Sequence, residues 1–174
     1  MAAAYDFSTA RRVVDVGGGH GQLLSLILAK NPHLSGVLLD TPSGIASAKA
    51  GAGGPLPRTE LIAGDFFKAV PAGGDIYALK RVIHDWDDER ASLILRNCRD
   101  AMKPGGSVLV AERIIDEGND RDINKYLDIV MLTILGGKER AKPQYVELFS
   151  HSGLRLDRVI DTSADISVLV GRAA

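Results

Sequence analysis

Five short apolar runs in this chain are each followed at once by residues suited to binding a ligand. Residues 12–16 precede the glycine-rich segment 17–21, residues 36–39 precede Asp40, residues 59–64 precede Asp65, residues 76–83 precede His84, and residues 107–111 precede Glu112. In an open α/β sheet, ligands bind outside the carboxyl ends of the parallel strands. If the runs are neighbouring parallel strands, these residues meet along one edge of the sheet, and we expect a binding site there.

Helical patterns alternate with the apolar runs. Predicted helices cover residues 22–30, 44–52, 87–102, 124–135 and 143–152, and two further strands, expected to form a hairpin, cover residues 155–160 and 166–170. Strands that alternate with helices of this length form right-handed βαβ units. The sequence therefore predicts one α/β domain over residues 1–174, with a Rossmann-like, mostly parallel sheet and helices on both faces.

Composition narrows the class of protein. The 174 residues carry a formal net charge of −1 and a single cysteine, Cys98. A nucleic-acid-binding protein needs a basic excess or stripe, and neither is present. One cysteine excludes internal disulfides and a cysteine-built zinc site. No apolar stretch approaches the ~20 residues of a membrane span, and the first residues lack signal-peptide features. We expect a soluble, cytoplasmic protein with a small-molecule ligand.

The glycine-rich segment is a candidate cofactor loop. Gly17 and Gly19 lie between a predicted strand and a predicted helix, where glycine permits a tight turn and a close approach of ligand to backbone. The free N–H groups of the following helix favour an anion. The dinucleotide fingerprint is not matched, because Gln22 stands where its third glycine belongs. Asp15 is expected to orient the loop rather than to contact the ligand.

Two aspartates extend this candidate site. Asp40 suits ribose hydroxyls, since it ends a strand 23 positions after Gly17. Asp65 and Phe66 could hydrogen-bond an adenine amine and stack on its ring. The structural alternative for each aspartate is a capping or turn residue.

At residues 15–21, 64–67, 80–89 and 136–140, the chain resembles the S-adenosylmethionine-dependent small-molecule O-methyltransferases of the plant caffeate and flavonoid type and their bacterial polyketide-tailoring relatives. The resemblance covers nearly the whole chain and implies a seven-stranded class I methyltransferase fold. It implies that His84 is the general base, that Glu112 and Glu139 flank it, and that S-adenosylmethionine is held by Gly17, Asp40, Asp65, Phe66 and Lys80.

The family also carries a helical N-terminal domain that dimerises and covers the substrate. We expect that domain to be absent here, because the chain begins just before the first strand. On this interpretation, the chain is an excised catalytic domain or a partner replaces the missing part. The isolated domain is then expected to be a monomer that can lack activity alone, and the parent protein a homodimer.

A hydroxyl must lose its proton to attack the cofactor methyl. A phenol near pKa ~10 and an imidazole near ~6.5 differ by roughly 4.8 kcal/mol in proton affinity, so the site must stabilise the imidazolium or couple the two steps. A carboxylate beside His84 would stabilise it, as in base-plus-orienter arrangements. Glu112 ends the next strand and is well placed for this, whereas only the family resemblance brings Glu139 there. The alternative for His84 is a histidine satisfied by backbone groups.

Other candidate residues surround the histidine. Asp85, Trp86 and Met131 are expected to contact the substrate or to form the pocket wall. The acidic run 87–89 could suggest a metal site, but a helix cap and a favourable charge at the helix N-terminus explain it better. We therefore expect no metal. Cys98 lies on an apolar helix face and is expected to be an inert core thiol.

Three functions remain open from the sequence. The first is an S-adenosylmethionine-dependent O-methyltransferase acting on an aromatic hydroxyl. The second is a relative that uses the bound cofactor without methyl transfer, for example in hydroxylation. The third is an isolated module that binds the cofactor and lacks a covered substrate site. His84, Glu112 and Glu139 favour the first function, whereas the expected lack of an N-terminal domain favours the third.

Overall fold

The computed structural model describes residues 1–51, 54–115, 138–163 and 165–174. Its strands are β1 (Arg12–Val16), β2 (Ser35–Asp40), β3 (Thr59–Ala63), β4 (Gly74–Lys80), β5 (Met102–Glu112), β6 (Ile114–Ile115), β7 (Arg140–Ala141), β8 (Leu154–Ile160) and β9 (Ser167–Ala173). Its helices are α1 (Gln22–Lys30), α2 (Pro42–Lys49), α3 (Asp88–Ala101) and α4 (Lys142–His151), and a 3₁₀ turn spans Ile83–Asp85. Met131 and the helix predicted over 124–135 lie outside the described residues.

One seven-stranded sheet organises the fold, in the order β3-β2-β1-β4-β5-β9-β8. The first five strands are parallel, whereas β9 runs antiparallel to both β5 and β8. The chain passes from β1 outward to β2 and β3, then returns to place β4 on the other side of β1. This reversal between β1 and β4 is the switch point at which open α/β sheets bind ligands. The predicted mostly parallel α/β sheet and its final hairpin are confirmed.

Each face of the sheet carries its own hydrophobic core, because successive side chains of a strand point to opposite faces. Leu79 and Val110 pack with α3 and α4 on one face. Ala78 and Leu109, their neighbours along the same strands, pack with α1 and α2 on the other face. The predicted placement of helices on both faces is therefore confirmed.

Local signals fix the ends of the helices. The side chain of Asp87 accepts a hydrogen bond of 2.8 Å from the Arg90 amide, so this residue caps α3 as predicted. Gly153 follows α4 with a φ of 68°, a conformation that favours glycine. Cys98 lies on the buried face of α3, and burial raises the pKa of its thiol. Among the described residues, no helix is both long and apolar enough to cross a membrane.

Candidate active site

The glycine loop leaves β1 in a conformation that only glycine adopts readily. Gly17 and Gly19 have φ values of 67° and 57°. The Gly17 amide donates to the Leu39 carbonyl at 2.8 Å, which ties the loop to β2. A Cβ at Gly18 would lie 2.5 Å from Leu38 Cδ1 and would also strike the buried Asp15 carboxylate. The loop is therefore pressed against the sheet, and Asp15 lies beneath it as expected for an orienting residue.

The outer side of the loop has room for a ligand. A Cβ on Gly19 would meet no atom within 4 Å, whereas one on Gly17 would lie 2.9 Å from Val82 Cγ2 and 3.4 Å from Phe66 Cε1. Gly17, Val82 and Phe66 thus form a wall, and Gly19 faces open space. Gly21 precedes α1 and has no side chain to cap it, a helix start that favours an anionic group. These features fit a small charged cofactor bound against the backbone.

Asp40 and Asp65 both lie at the carboxyl edge of the sheet, and both already support the backbone. Asp40 Oδ2 accepts from the Gly19 amide at 2.7 Å, and its Oδ1 accepts from the Thr41 amide at 2.7 Å. Asp65 Oδ1 accepts from the Phe67 amide at 2.9 Å. The structural alternative therefore holds for both residues. Each carboxylate keeps further lone pairs, so a role in ligand binding stays a prediction for both.

Three aromatic side chains cluster on the segments that follow β3 and β4, packed against the core. Phe66, Phe67 and Trp86 meet edge-to-face, with ring centroids 4.8–6.2 Å apart. Asn97 of α3 donates from Nδ2 to the carbonyls of Phe66 and Phe67, at 2.8 and 3.1 Å. Asn97 is not predictable from the sequence, because an asparagine within an amphipathic helix carries no motif. Lys80, also predicted to hold the cofactor, is exposed and lines an open cavity of ≈ 390 Å³ beside α1.

His84 does not end a strand, contrary to the sequence prediction. Strand β4 stops at Lys80, and Arg81 then takes a left-handed conformation with a φ of 54°. The following 3₁₀ turn carries His84, whose side chain is buried. The apolar residues Val82 and Ile83 resemble a strand in sequence, but their amides bond a side chain instead of a neighbouring strand. The strained residue and the turn redirect the chain so that His84 lies beside β5.

Glu112, at the end of β5, builds that turn. Its Oε1 accepts from the amides of Val82, Ile83 and His84, at 3.0, 2.9 and 3.4 Å. Its Oε2 lies 3.8 Å from His84 Nδ1. Burial raises the pKa of Glu112 to about 7, although the His84 charge and the turn amides act in the opposite direction. Glu112 therefore lies beside His84 as predicted, and its hydrogen bonds go to backbone amides of the turn.

Glu139 is the closest carboxylate to the histidine ring. Its Oε1 lies 3.2 Å from His84 Nδ1, and both side chains are buried. On the other side of the ring, Asp85 Oδ1 lies 3.3 Å from Nε2. Burial alone would lower the pKa of His84, but the Glu139 hydrogen bond and the charges of Glu112 and Asp85 outweigh burial and raise it. The structure thus brings together the three residues predicted to be catalytic.

Two sets of residues could suggest a metal site, the acidic run 87–89 and the set of His84, Glu112 and Glu139. Asp87 caps α3, while Asp88 pairs with Lys138 and with the buried Arg140. The ligand atoms of His84, Glu112 and Glu139 do lie within 4.8 Å of one another, a set that could hold an ion. His84 Nδ1 already bonds Glu139, and the expectation of no metal stays a prediction.

Comparison with known proteins agrees with this arrangement. Residues 1–155 match the O-methyltransferase domain family. The phenazine O-methyltransferase of Lysobacter antibioticus is 43% identical over 174 residues, covering 97% of this chain and 50% of the relative. The aclacinomycin 10-hydroxylase of Streptomyces purpurascens is 41% identical over 159 residues, covering 89% of this chain and 42% of the relative. The chain thus spans about half the length of the curated relatives it matches.

Solved structures extend the likeness to three dimensions. An O-methyltransferase from neocarzinostatin biosynthesis, crystallised with S-adenosyl-L-homocysteine and 1,4-dihydroxy-2-naphthoic acid, superposes with a TM-score of 0.87 at 38% identity, covering 99% of this chain and 52% of that chain. S-adenosylmethionine, the predicted cofactor, is the one that this family uses. The family match, the identities and the shared fold together show that this chain belongs to the O-methyltransferase domain family.

Proposed function

We propose that residues 1–174 are the cofactor-binding, catalytic domain of an O-methyltransferase that acts on the phenolic hydroxyl of a small aromatic or polyketide-like metabolite. The observation that carries the proposal is the buried trio of His84, Glu112 and Glu139 at the edge where the glycine loop emerges. A base fixed beside a cofactor crevice is what hydroxyl methylation requires.

The cofactor, S-adenosylmethionine, supplies an electrophilic methyl group when bound. We infer that Gly17 and Gly19 let the cofactor approach the backbone and that Asp40 accepts hydrogen bonds from its ribose hydroxyls. Asp65 and Phe66 are proposed to contact its adenine. Lys80 is proposed to complete this set. The open space at Gly19 and the bond from its amide to Asp40 support the assignment, since a ribose there would meet both groups.

Deprotonation of the acceptor is assigned to His84. Both buried glutamates lie next to Nδ1 of the ring, whereas Asp85 lies next to Nε2. The acceptor hydroxyl is therefore proposed to approach Nε2. Nδ1 then donates to Glu139, which stabilises the imidazolium as it forms. The raised pKa of His84 narrows the gap to a phenol and makes the proton transfer less unfavourable.

A second candidate function is cofactor binding without methyl transfer, because one relative at 41% identity is named a hydroxylase. Incubating the protein with S-adenosylmethionine labelled in its methyl group and with dihydroxynaphthoic acids and simple phenols separates the two. We expect mass spectrometry to find the labelled methyl on an acceptor oxygen. An acceptor that gains oxygen instead would refute methyl transfer, and so would unmodified acceptors when the parent protein, with its additional domain, binds the cofactor.

About half of the relatives' length has no counterpart in residues 1–174, and we propose that this part determines the oligomeric state. We propose that this domain alone is monomeric and that the parent protein is a homodimer whose additional domain covers the acceptor. Sedimentation of residues 1–174 should give a monomer, and a tight dimer formed by this domain alone would contradict the proposal.

A further inference from the structure

Arg140 is a fully buried arginine whose side chain reaches both sides of the His84 turn. Nη1 donates to the Ile83 carbonyl at 3.2 Å, and Nη2 donates to the Trp86 carbonyl at 2.8 Å. These two carbonyls lie immediately before His84 and two residues after it. A planar guanidinium with five fixed donors can hold two such acceptors at once, which an ammonium group cannot do with the same rigidity.

The charge of Arg140 is balanced by a carboxylate outside the catalytic trio. Nε of Arg140 donates to Asp88 Oδ1 at 2.9 Å, and Lys138 Nζ donates to Asp88 Oδ2 at 2.5 Å. Burial would raise the pKa of Asp88, but the bonds from Lys138 and Arg140 outweigh burial and lower it. A buried cation is tolerated only with such a partner, so Asp88 offsets the cost of burying the Arg140 charge and helps to hold the side chain in place.

The turn that carries His84 is therefore held from two sides, by a carboxylate at its amides and by a guanidinium at its carbonyls. Glu112 accepts from the turn amides, and Arg140 donates to the carbonyls. Arg140 also follows Glu139 directly along the chain, and β7, which begins at Arg140, pairs with β6 just beyond Glu112. One side chain thus links the turn that carries the base to the segment that carries its closest carboxylate, Glu139.

We propose that Arg140 is a positioning residue for the proton transfer: it fixes the His84 turn relative to Glu139, so that Nδ1 bonds the carboxylate while Nε2 faces the acceptor. This inference rests on the proposed role of His84 as the base. Arg140 contacts neither the acceptor nor the cofactor in this account, and it acts only through the placement of His84.

The charge-conserving variant Arg140→Lys tests the proposal. It keeps the positive charge beside Asp88 but cannot hold both carbonyls, so we expect kcat to fall by about 10²-fold, as a misplacement near 1 Å can cause. Cofactor affinity should stay within about twofold. The acid limb of the kcat/KM profile should move to lower pH, because a looser Glu139 contact raises the pKa of His84 less. Asp88→Asn removes the exposed charge that pairs with the buried Arg140, so kcat and the acid limb should change in the same direction but less.

A double-mutant cycle with His84→Ala separates positioning from a general effect on folding. If Arg140 acts through His84, Arg140→Lys should cost no further rate in the His84→Ala background, since contributions of residues that act as a unit do not add. Arg58→Lys is the matched control, because its guanidinium also bonds two carbonyls, those of Leu28 and Leu34, away from the site. It should leave the pH profile unchanged.

The two proposals fail in different ways. Full activity in His84→Ala would overturn the base assignment and the inference with it. A large loss in His84→Ala, together with an Arg140→Lys effect that is additive and leaves the acid limb in place, would overturn only the positioning role of Arg140.

Discussion

Glu139→Gln is the substitution that most sharply probes how the site tunes its base. Glutamine keeps an acceptor oxygen for His84 Nδ1, whose present distance to Glu139 Oε1 is 3.2 Å, but removes the charge. A hydrogen bond to a charged group contributes about 1.5–3 kcal/mol and a neutral one about 0.5–1.5 kcal/mol. The variant therefore loses about 1–1.5 kcal/mol of imidazolium stabilisation, and the pKa of His84 falls because the Glu139 hydrogen bond is one of the causes that raise it.

The pH dependence of kcat/KM measures this change. The base must be neutral to accept a proton, so the rate rises with pH through the pKa of His84 in the free enzyme. In the wild-type protein, the acid limb should lie above 6.5, the ordinary value for histidine. In Glu139→Gln the acid limb should lie at lower pH than in the wild-type protein, and the plateau should also fall because the base is weaker. A phenol with a pKa near ~10 keeps acceptor ionisation away from this range.

Glu60→Gln is the matched control for the charge removed. Glu60 is exposed and pairs with Arg12 at 3.0 Å near the amino ends of β3 and β1, whereas the His84 turn lies at the carboxyl edge of the sheet. Its variant should show the wild-type acid limb. If Glu139→Gln also shows the wild-type limb while cofactor affinity and folding are unchanged, then Glu139 does not set the pKa of His84 and the reasoning fails.

Three further predictions concern the cofactor loop and its support. Asp40→Ala should weaken S-adenosylmethionine binding about 10- to 150-fold in calorimetry, for bonds of about 1.5–3 kcal/mol to a charged acceptor; wild-type affinity would remove Asp40 from the site. Gly18→Ala should lower the melting temperature and cofactor affinity together, because its Cβ would lie 2.5 Å from Leu38 Cδ1; an unchanged protein would show that the loop can move. Burial raises the pKa of Asp15 to about 7, so between about pH 4 and pH 7 this carboxyl ionises in the unfolded state but not in the folded one. The unfolding free energy should therefore fall over that range, by up to about 4 kcal/mol. Asp15→Asn should therefore flatten the loss of unfolding free energy over that range in urea titrations, and an unaltered slope would contradict the assignment.

The sequence was sufficient to predict the edge of the sheet at which the site lies. Strands ending before Gly17, Asp40 and Asp65 were visible as apolar runs, and a parallel sheet brings such ends together. The helix cap at Asp87 was visible for the same reason, because local backbone chemistry determines it. These features depend on short segments, whose preferences the sequence displays directly.

Features that depend on distant segments were not visible in this way. The 3₁₀ turn at His84 forms because Glu112, 28 residues later, accepts its amides, and no local pattern distinguishes it from a strand end. Arg140 was visible within a motif, yet its burial follows from carbonyls about 55 residues earlier in the chain. Only the family resemblance placed Glu139 near His84. A side chain that satisfies backbone groups elsewhere leaves no periodic signal of its own.

Methylation of phenols of graded acidity by His84→Ala tests the central claim most directly. The account predicts nearly unchanged S-adenosylmethionine affinity and a rate lower by about 10²–10⁴-fold on a weakly acidic phenol at neutral pH. The loss should shrink for more acidic phenols, and raising the pH toward the acceptor pKa should partly restore the rate, because solvent then supplies the phenolate. His84→Gln should not restore activity, since an amide cannot accept the proton. A correctly folded His84→Ala variant with the wild-type rate on a weakly acidic phenol would show that His84 is not the base.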